Sequence, residues 1–107
     1  MTDIPHPFSE IVGFEWDNWN LDKNWLKHGV TRYEGEQIFF NQPLLVSNDE
    51  KHSQDEARFN ALGKTDTERL LSVAFTVRRQ LIRIISARGM NGKEKRVYEN
   101  AKEDSEI

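Results

Sequence analysis

Two apolar runs in the second half of the chain constrain its fold more than any other feature of the sequence. In residues 71–77, large apolar side chains alternate with small ones, which is the two-residue period of a β-strand with one richer face. Residues 81–87 form a largely apolar run that Arg83 interrupts, which is typical of a buried strand. Because only residues 78–80 separate the runs, we predict a hairpin, although its turn lacks the usual glycine.

The first half of the chain predicts one strand followed by two helices. Residues 11–16 can form the strand, and the apolar residues after it recur at helical spacing until Gly29, where a left-handed residue would end a helix. Segment 31–34, Thr-Arg-Tyr-Glu, matches a capping box, in which two side chains satisfy backbone N–H groups at a helix start. We therefore predict a second helix from there to about residue 40, stopped by Pro43.

Three shorter segments complete the predicted fold. Residues 44–46 and 57–62 are strand candidates, and residues 92–101 are predicted to form a C-terminal helix. The order β-α-α-β-β-β-β-α indicates a compact α+β domain. In this domain, two N-terminal helices and a C-terminal helix surround an antiparallel sheet.

The size and composition of the chain exclude several classes of protein. Its 107 residues suffice for one domain, so we predict a single domain over residues 1–107, with flexible ends at 1–10 and 102–107. The chain has no cysteine, which rules out disulfides, thiol nucleophiles and cysteine-ligated zinc. No apolar run approaches the roughly eighteen residues of a membrane span. The N-terminus lacks the features of a signal peptide, so we expect a cytoplasmic protein with no membrane partner.

The charge of the chain is divided unevenly along the sequence. Residues 1–76 carry a net charge of −6, residues 77–98 carry +6, and residues 99–107 carry −3. A basic block inside an acidic protein favours a local anionic partner, although a solvated strand and helix surface would have the same composition.

Few known catalytic motifs are present. His6, His28 and His52 are far apart and have no ligand-type partner at helical spacing, so we predict no metal site and no cofactor. No glycine-rich phosphate loop follows a strand, and no Gly-x-Ser-x-Gly motif supports an acyl-transfer hydrolase. The residues that remain for chemistry are arginine, lysine, histidine, glutamate and tyrosine, which bind anions and transfer protons.

Three arginines on predicted strands are the main candidates for an anion site. Arg58 begins one strand, Arg83 interrupts another, and Arg88 lies at the exit of that second strand. A strand arginine is often only an edge residue or an ion-pair partner. Three guanidinium groups on adjacent strands would, however, form a receptor for phosphate, because arginine donates two parallel hydrogen bonds and keeps its charge.

Lys27 and His28, at the end of the first predicted helix, have two interpretations. As cations they would complement the helix dipole and stabilise the helix by about 0.3–1 kcal/mol each. Alternatively, His28 transfers protons, because the ordinary pKa of histidine lies close to neutral pH. The sequence leaves both interpretations open.

Six segments distributed along the chain share a further pattern. They are Phe14-Glu-Trp-Asp17, Lys27-His-Gly-Val30, Phe39-Phe-Asn41 through Pro43, Ala57-Arg-Phe-Asn-Ala-Leu-Gly63, Arg83-Ile-Ile-Ser-Ala-Arg88 and Lys93-Glu-Lys-Arg-Val-Tyr98. In this order and spacing they resemble the BrnT toxin family, from about residue 12 to residue 100. The resemblance implies a RelE-like fold and a ribonuclease toxin of a type II toxin–antitoxin pair. It also implies a cognate BrnA-like ribbon-helix-helix antitoxin, with operator DNA bound only through that antitoxin.

For a protein of this kind, the residues suggest cleavage of messenger RNA without a metal. The 2′-hydroxyl can attack the adjacent phosphate if the protein removes its proton, stabilises the dianionic phosphorane and protonates the leaving 5′-oxygen. The predicted charge-stabilising residues are Arg58, Arg83 and Arg88. The candidates for proton transfer are His28, Tyr98 and Glu56, and the sequence does not choose among them. The residues predicted to bind the RNA substrate are Lys27, Arg78, Arg79, Lys93, Lys95 and Arg96.

An alternative function is a non-catalytic, toxin-like binding module that acts only in a complex of antitoxin and DNA. The chain has no basic recognition helix of the helix-turn-helix type, which argues against DNA binding by this chain alone. Cleavage of RNA by the purified chain in EDTA separates the two functions.

Overall fold

The computed structural model describes residues 11–16, 23, 25–52 and 56–105, and it has the predicted order of strands and helices. Residues 25–28 are helical. The other elements, in chain order, are β1 (Gly13–Glu15), α1 (Arg32–Gln37), a 3-10 turn (Ile38–Phe40), β2 (Leu45–Asn48), a 3-10 turn (Glu50–His52), β3 (Arg58–Lys64), β4 (Leu70–Arg78), β5 (Leu81–Gly89) and α2 (Gly92–Ser105). Residues 102–105, which we expected in a flexible end, continue α2.

The five strands form one mixed sheet in the order β1-β5-β4-β3-β2. Neighbouring strands are antiparallel except at one edge, where β1 runs parallel to β5. The predicted antiparallel sheet is therefore corrected at this edge. Strand periodicity shows which side chains share a face but not the direction of a distant partner, so the sequence pattern could not reveal the parallel pair.

The local signals for helix ends are confirmed. Thr31 Oγ1 accepts a hydrogen bond from the Glu34 backbone N–H, and the Glu34 side chain accepts one from the Thr31 backbone N–H, so the predicted capping box is formed. Gly29 has a φ of 63°, and its N–H donates to the Trp25 carbonyl at 2.9 Å, which ends the helical residues 25–28.

The predicted hairpin between β4 and β5 is also confirmed. Arg78 pairs with Leu81, so the connection is a two-residue turn of Arg79 and Gln80. Both turn residues have positive φ, 52° and 65°, which is the conformation that a tight hairpin turn requires. The chain adopts this turn without the glycine that usually relieves its strain.

One face of the sheet packs against α1 and the 3-10 turn that follows it. The Phe39 ring meets Phe75 edge-on with the ring centroids 5.1 Å apart, and Phe14 packs against Phe39 at 5.6 Å. Gly63 allows the 3-10 turn to approach β3, because a Cβ atom at this position would lie 2.8 Å from Ile38 Cβ. This face is the hydrophobic core of the domain.

The opposite face of the sheet carries Arg58, Thr76, Arg83 and Arg88, and we call it the arginine face. Helix α2 covers one end of it, where Glu94 hydrogen-bonds to Arg88 at 2.8 Å. The strands extend beyond α2 toward the β4–β5 hairpin. The candidate site lies on that part of the face.

Candidate active site

A row of five side chains crosses the arginine face from one edge of the sheet to the other. The register places Glu15 opposite Arg83, Arg83 opposite Thr76, and Thr76 opposite Arg58. Asp49 follows β2 and donates its backbone N–H to the Arg58 carbonyl at 2.8 Å, so it extends the row on the β2 side. Residues opposite each other in a sheet project to the same face. We call this set, Asp49-Arg58-Thr76-Arg83-Glu15, the arginine row.

Each arginine of the row lies next to a carboxylate. Arg83 Nη1 is 3.2 Å from Glu15 Oε1, and Arg58 Nε is 3.6 Å from Asp49 Oδ2. Two strand spacings, about 10 Å, separate the backbones of Arg58 and Arg83, so their side chains can reach toward one phosphate between them. Partly exposed ion pairs of this kind contribute little to stability, about 0–1 kcal/mol, and a guanidinium group binds a phosphate in the same way as it binds a carboxylate.

Thr76 occupies the centre of the row, between the two arginines. Its side chain is 2% exposed, and its hydroxyl has no hydrogen-bond partner within the described part of the chain. A buried polar group without a partner costs about 1–3 kcal/mol. The Thr76 side chain therefore spaces the two arginines of the row and is too buried to contact a ligand itself.

A second ion pair lies beside the row, toward the hairpin. Arg78 follows Thr76 by two residues and so shares its face, and it donates to both oxygens of Glu56, at 2.8 and 2.7 Å. The hydrogen bonds from Arg78, and more weakly the charge of Arg83, hold the pKa of Glu56 below its ordinary value. The structure therefore brings four of the predicted site residues, Arg58, Arg78, Arg83 and Glu56, to one end of the arginine face.

Arg88 belongs to the other end of the same face. It follows Arg83 by five residues on β5, a distance of roughly 16 Å along the strand. Both of its Nη atoms donate to Glu94, at 2.8 and 3.0 Å, and these hydrogen bonds lower the pKa of Glu94. The three predicted arginines therefore do not form one cluster, and Arg88 instead attaches the start of α2 to the sheet.

His28 lies near Arg88 rather than in the arginine row. Burial lowers the pKa of its imidazole, and the positive charges of Lys27, Arg88 and Lys23 lower it further. Arg69 donates to the backbone carbonyls of both His28 and Gly29, at 3.3 and 2.9 Å, so the backbone here is fixed. Burial and the neighbouring positive charges favour the neutral imidazole of His28. The side chain lies outside the arginine row.

Tyr98 lies inside the protein. Its side chain is 0% exposed, and its hydroxyl donates to the Pro43 carbonyl at 2.7 Å. Burial raises the pKa of Tyr98 to about 12. A substrate cannot reach this hydroxyl without displacing α2, so we leave Tyr98 out of the site. The remaining predicted RNA-binding residues are exposed on the surface, namely Lys27, Arg79, Lys93, Lys95 and Arg96.

The described residues contain neither a cluster of metal ligands nor a membrane-spanning helix. Residues 11–16, 23, 25–52 and 56–105 contain no group of three or more histidine, aspartate or glutamate side chains placed to hold a metal ion. None of the helices in these ranges is long and apolar enough to cross a membrane.

Comparison with known proteins identifies the family of the chain. Residues 16–94 match the family described as "Ribonuclease toxin, BrnT, of type II toxin-antitoxin system". The chain belongs to the BrnT family. Its fold is similar to the crystal structure of the Brucella abortus ribonuclease toxin BrnT, with a TM-score of 0.56 and 18% sequence identity over 75% of this chain and 97% of that one. No curated protein matches the sequence.

The sequence did not identify three members of the arginine row in this BrnT-family chain. Glu15 lies between the apolar residues Phe14 and Trp16, and Thr76 lies between Phe75 and Val77. Their alternation with apolar neighbours could have indicated that they lie on the face of the sheet opposite the core. It could not have indicated which arginines of the neighbouring strands lie opposite them. Asp49 lies after the edge strand, within a polar stretch that had no distinguishing pattern.

Proposed function

We propose that this BrnT-family ribonuclease toxin cleaves messenger RNA without a metal and that the arginine row is where it does so. The 2′-hydroxyl of the RNA attacks the adjacent phosphate and leaves a 2′,3′-cyclic phosphate and a 5′-hydroxyl. Loss of messenger RNA in the cytoplasm would stop translation, which accounts for toxicity.

The observation that carries this proposal is the register that places Arg58 and Arg83 on the two sides of Thr76, on the same face of the sheet. The two guanidinium groups offer charge and paired N–H donors to a dianionic phosphorane. Two fixed positive charges can neutralise this transition state, which is the task that a metal ion has in other nucleases.

The partners follow from the family. Type II toxins have a protein antitoxin, and we propose a BrnA-like ribbon-helix-helix protein as the antitoxin of this chain. We further propose that operator DNA is bound by the antitoxin. The arginine row and the Arg78–Glu56 pair lie on strands, at one end of one sheet face. They are therefore not part of a helix that could read DNA bases in the major groove.

The reaction is tested by the end groups of the products. The purified chain is incubated with a single-stranded RNA in EDTA, and we expect fragments with a 2′,3′-cyclic phosphate and a 5′-hydroxyl. Products with a 5′-phosphate, or complete loss of activity in EDTA, contradict the mechanism. A folded chain that binds its antitoxin but cleaves no RNA would support the non-catalytic alternative.

The site is tested by removing its arginines. We expect Arg83→Ala and Arg58→Ala each to lower the cleavage rate by about 10²-fold or more, the usual effect of losing one preorganised transition-state donor. The matched control is Arg32→Ala, because Arg32 is an exposed arginine on α1 whose guanidinium hydrogen-bonds to Tyr33. Circular dichroism must show folded variants. Cleavage at the parental rate by Arg83→Ala would place the site elsewhere.

A further inference from the structure

We propose that Glu15 is a catalytic residue of this chain, the base that removes the proton from the attacking 2′-hydroxyl at the Arg83 end of the arginine row. This inference rests on the proposed function and names a group that the sequence did not single out. It is carried by the parallel pairing of β1 with β5, which brings Glu15 directly opposite Arg83.

The three proton-transfer candidates from the sequence are placed unsuitably for this step. Tyr98 is completely buried, and His28 lies at the Arg88 end of the sheet. Glu56 lies near the row, but both of its carboxylate oxygens are held by Arg78 at 2.8 Å or less. A carboxylate whose two oxygens each accept a short charged hydrogen bond is a weak proton acceptor, because protonation would break an ion pair.

Glu15 differs from Glu56 in the number of hydrogen bonds that it accepts from its neighbouring arginine. Only Oε1 contacts Arg83, at 3.2 Å, and Oε2 has no hydrogen-bond partner among the described residues. The side chain is 38% exposed, against 24% for Asp49 at the opposite end of the row. Arg83 thus holds the carboxylate through one oxygen, and the side chain is exposed enough for a substrate to approach it.

The position of Glu15 also fits the direction of attack. A phosphate held between Arg58 and Arg83 has Glu15 at one end of the row, one strand beyond Arg83. The nucleophile and the leaving oxygen must lie on opposite sides of the phosphorus in an in-line displacement. A base at an end of the row, rather than above its centre, can therefore reach the 2′-hydroxyl on the attacking side.

The atoms and protons of the proposed step balance with water as the only further reactant. Glu15 Oε2 takes the 2′-hydroxyl proton while the 2′-oxygen forms a bond to phosphorus. The bond from phosphorus to the 5′-oxygen then breaks, and the leaving oxygen takes a proton from water. Glu15 returns its proton to the resulting hydroxide, so the enzyme ends as it began.

The experiment compares Glu15→Gln with the parent chain on a single-stranded RNA. We expect kcat to fall by about 10²-fold or more, the usual contribution of a general base. Binding is measured separately with the same sequence fully 2′-O-methylated, which cannot be cleaved. We expect its Kd to change by less than about threefold, because the glutamine keeps the shape and one oxygen for Arg83.

A pH profile distinguishes a base from a merely structural partner of Arg83. We expect kcat of the parent to fall as the pH is lowered, and this acidic limb to be absent from Glu15→Gln. The matched control is Glu36→Gln, which makes the same chemical change on the core side of the sheet, where Glu36 accepts a hydrogen bond from Trp16 at 2.8 Å. We expect the control to retain parental kcat and its acidic limb.

Three outcomes would overturn the inference. They are parental kcat in Glu15→Gln, an unchanged acidic limb in that variant, or a loss of RNA affinity that accounts for the whole defect. If Glu15→Gln does not fold, Glu15→Asp, which keeps the charge but withdraws the carboxylate, must lower kcat by at least about tenfold with unchanged Kd. A parent chain that yields no cyclic phosphate instead refutes the proposed function itself.

Discussion

Replacing Tyr98 with phenylalanine separates a structural tyrosine from a catalytic one. The substitution removes only the hydroxyl, which donates to the Pro43 carbonyl at 2.7 Å in a completely buried position. Losing this hydrogen bond and leaving the carbonyl without its donor costs about 1–2 kcal/mol. For a domain of this size, such a loss lowers Tm by roughly 4–8 °C for each kcal/mol.

The assay is urea unfolding followed by tryptophan fluorescence, with RNA cleavage measured on the same preparations. Tyr33→Phe is the matched control, since Tyr33 is 61% exposed and its loss of a hydroxyl should change stability by less than about 0.5 kcal/mol. We expect Tyr98→Phe to be less stable but to cleave RNA at the parental rate per folded molecule. A stable Tyr98→Phe that has lost tenfold or more of its activity would refute the structural interpretation.

The pH dependence of stability provides a second measurement on the same variant. The folded pKa of Tyr98, about 12, lies above the ordinary value of 10.0, so burial favours the protonated phenol. Its contribution to stability is complete below pH 10 and is lost as the pH rises toward 12. We expect the free energy of unfolding of the parent chain to decrease between pH 10 and pH 12 because Tyr98 ionises on unfolding. Tyr98→Phe should not show this part of the decrease.

Two further predictions concern the frame that holds the site. Gly63→Ala should destabilise the domain by about 1–3 kcal/mol in urea unfolding, because the added Cβ would lie 2.8 Å from Ile38 Cβ; unchanged stability would mean that the 3-10 turn moves freely. Glu94→Gln should lower stability at pH 7 by about 1 kcal/mol or more, since it weakens the contact with Arg88. Because the folded pKa of Glu94 is depressed, the difference should shrink as the pH falls below the ordinary range of glutamate, and a difference independent of pH would contradict the ion pair.

The parts of the fold that depend on neighbouring residues could be predicted from the sequence. The capping box at Thr31 and Glu34, the left-handed Gly29 and the β4–β5 hairpin all arise from interactions within a few residues. Each has a backbone requirement that particular side chains meet, so the residue types alone indicate the structure.

The composition of the candidate site could not be predicted, because it depends on strand direction and register, which the sequence pattern does not contain. Arg58, Arg83 and Arg88 were grouped because they lie on adjacent predicted strands, but strand geometry places Arg88 about 16 Å from Arg83 along β5. Glu15 is a partner of Arg83, and this contact depends on the direction and register of β1. Tyr98 was a reasonable candidate for proton transfer by residue type, and only its burial on the inner side of α2 removed it from the site.

The parallel pair at the sheet edge also has a consequence for when the protein becomes active during synthesis. Glu15 and Arg83 are 68 residues apart in a chain of 107, so their contact has a high contact order and requires closing a loop of about two thirds of the chain. While a ribosome is still making the molecule, the first strand has no β5 to pair with. A prematurely terminated product ending before β5 would lack Arg83 together with its alignment to Glu15. If the arginine row is the RNA-cleaving site, as we propose, such an incomplete copy lacks that activity.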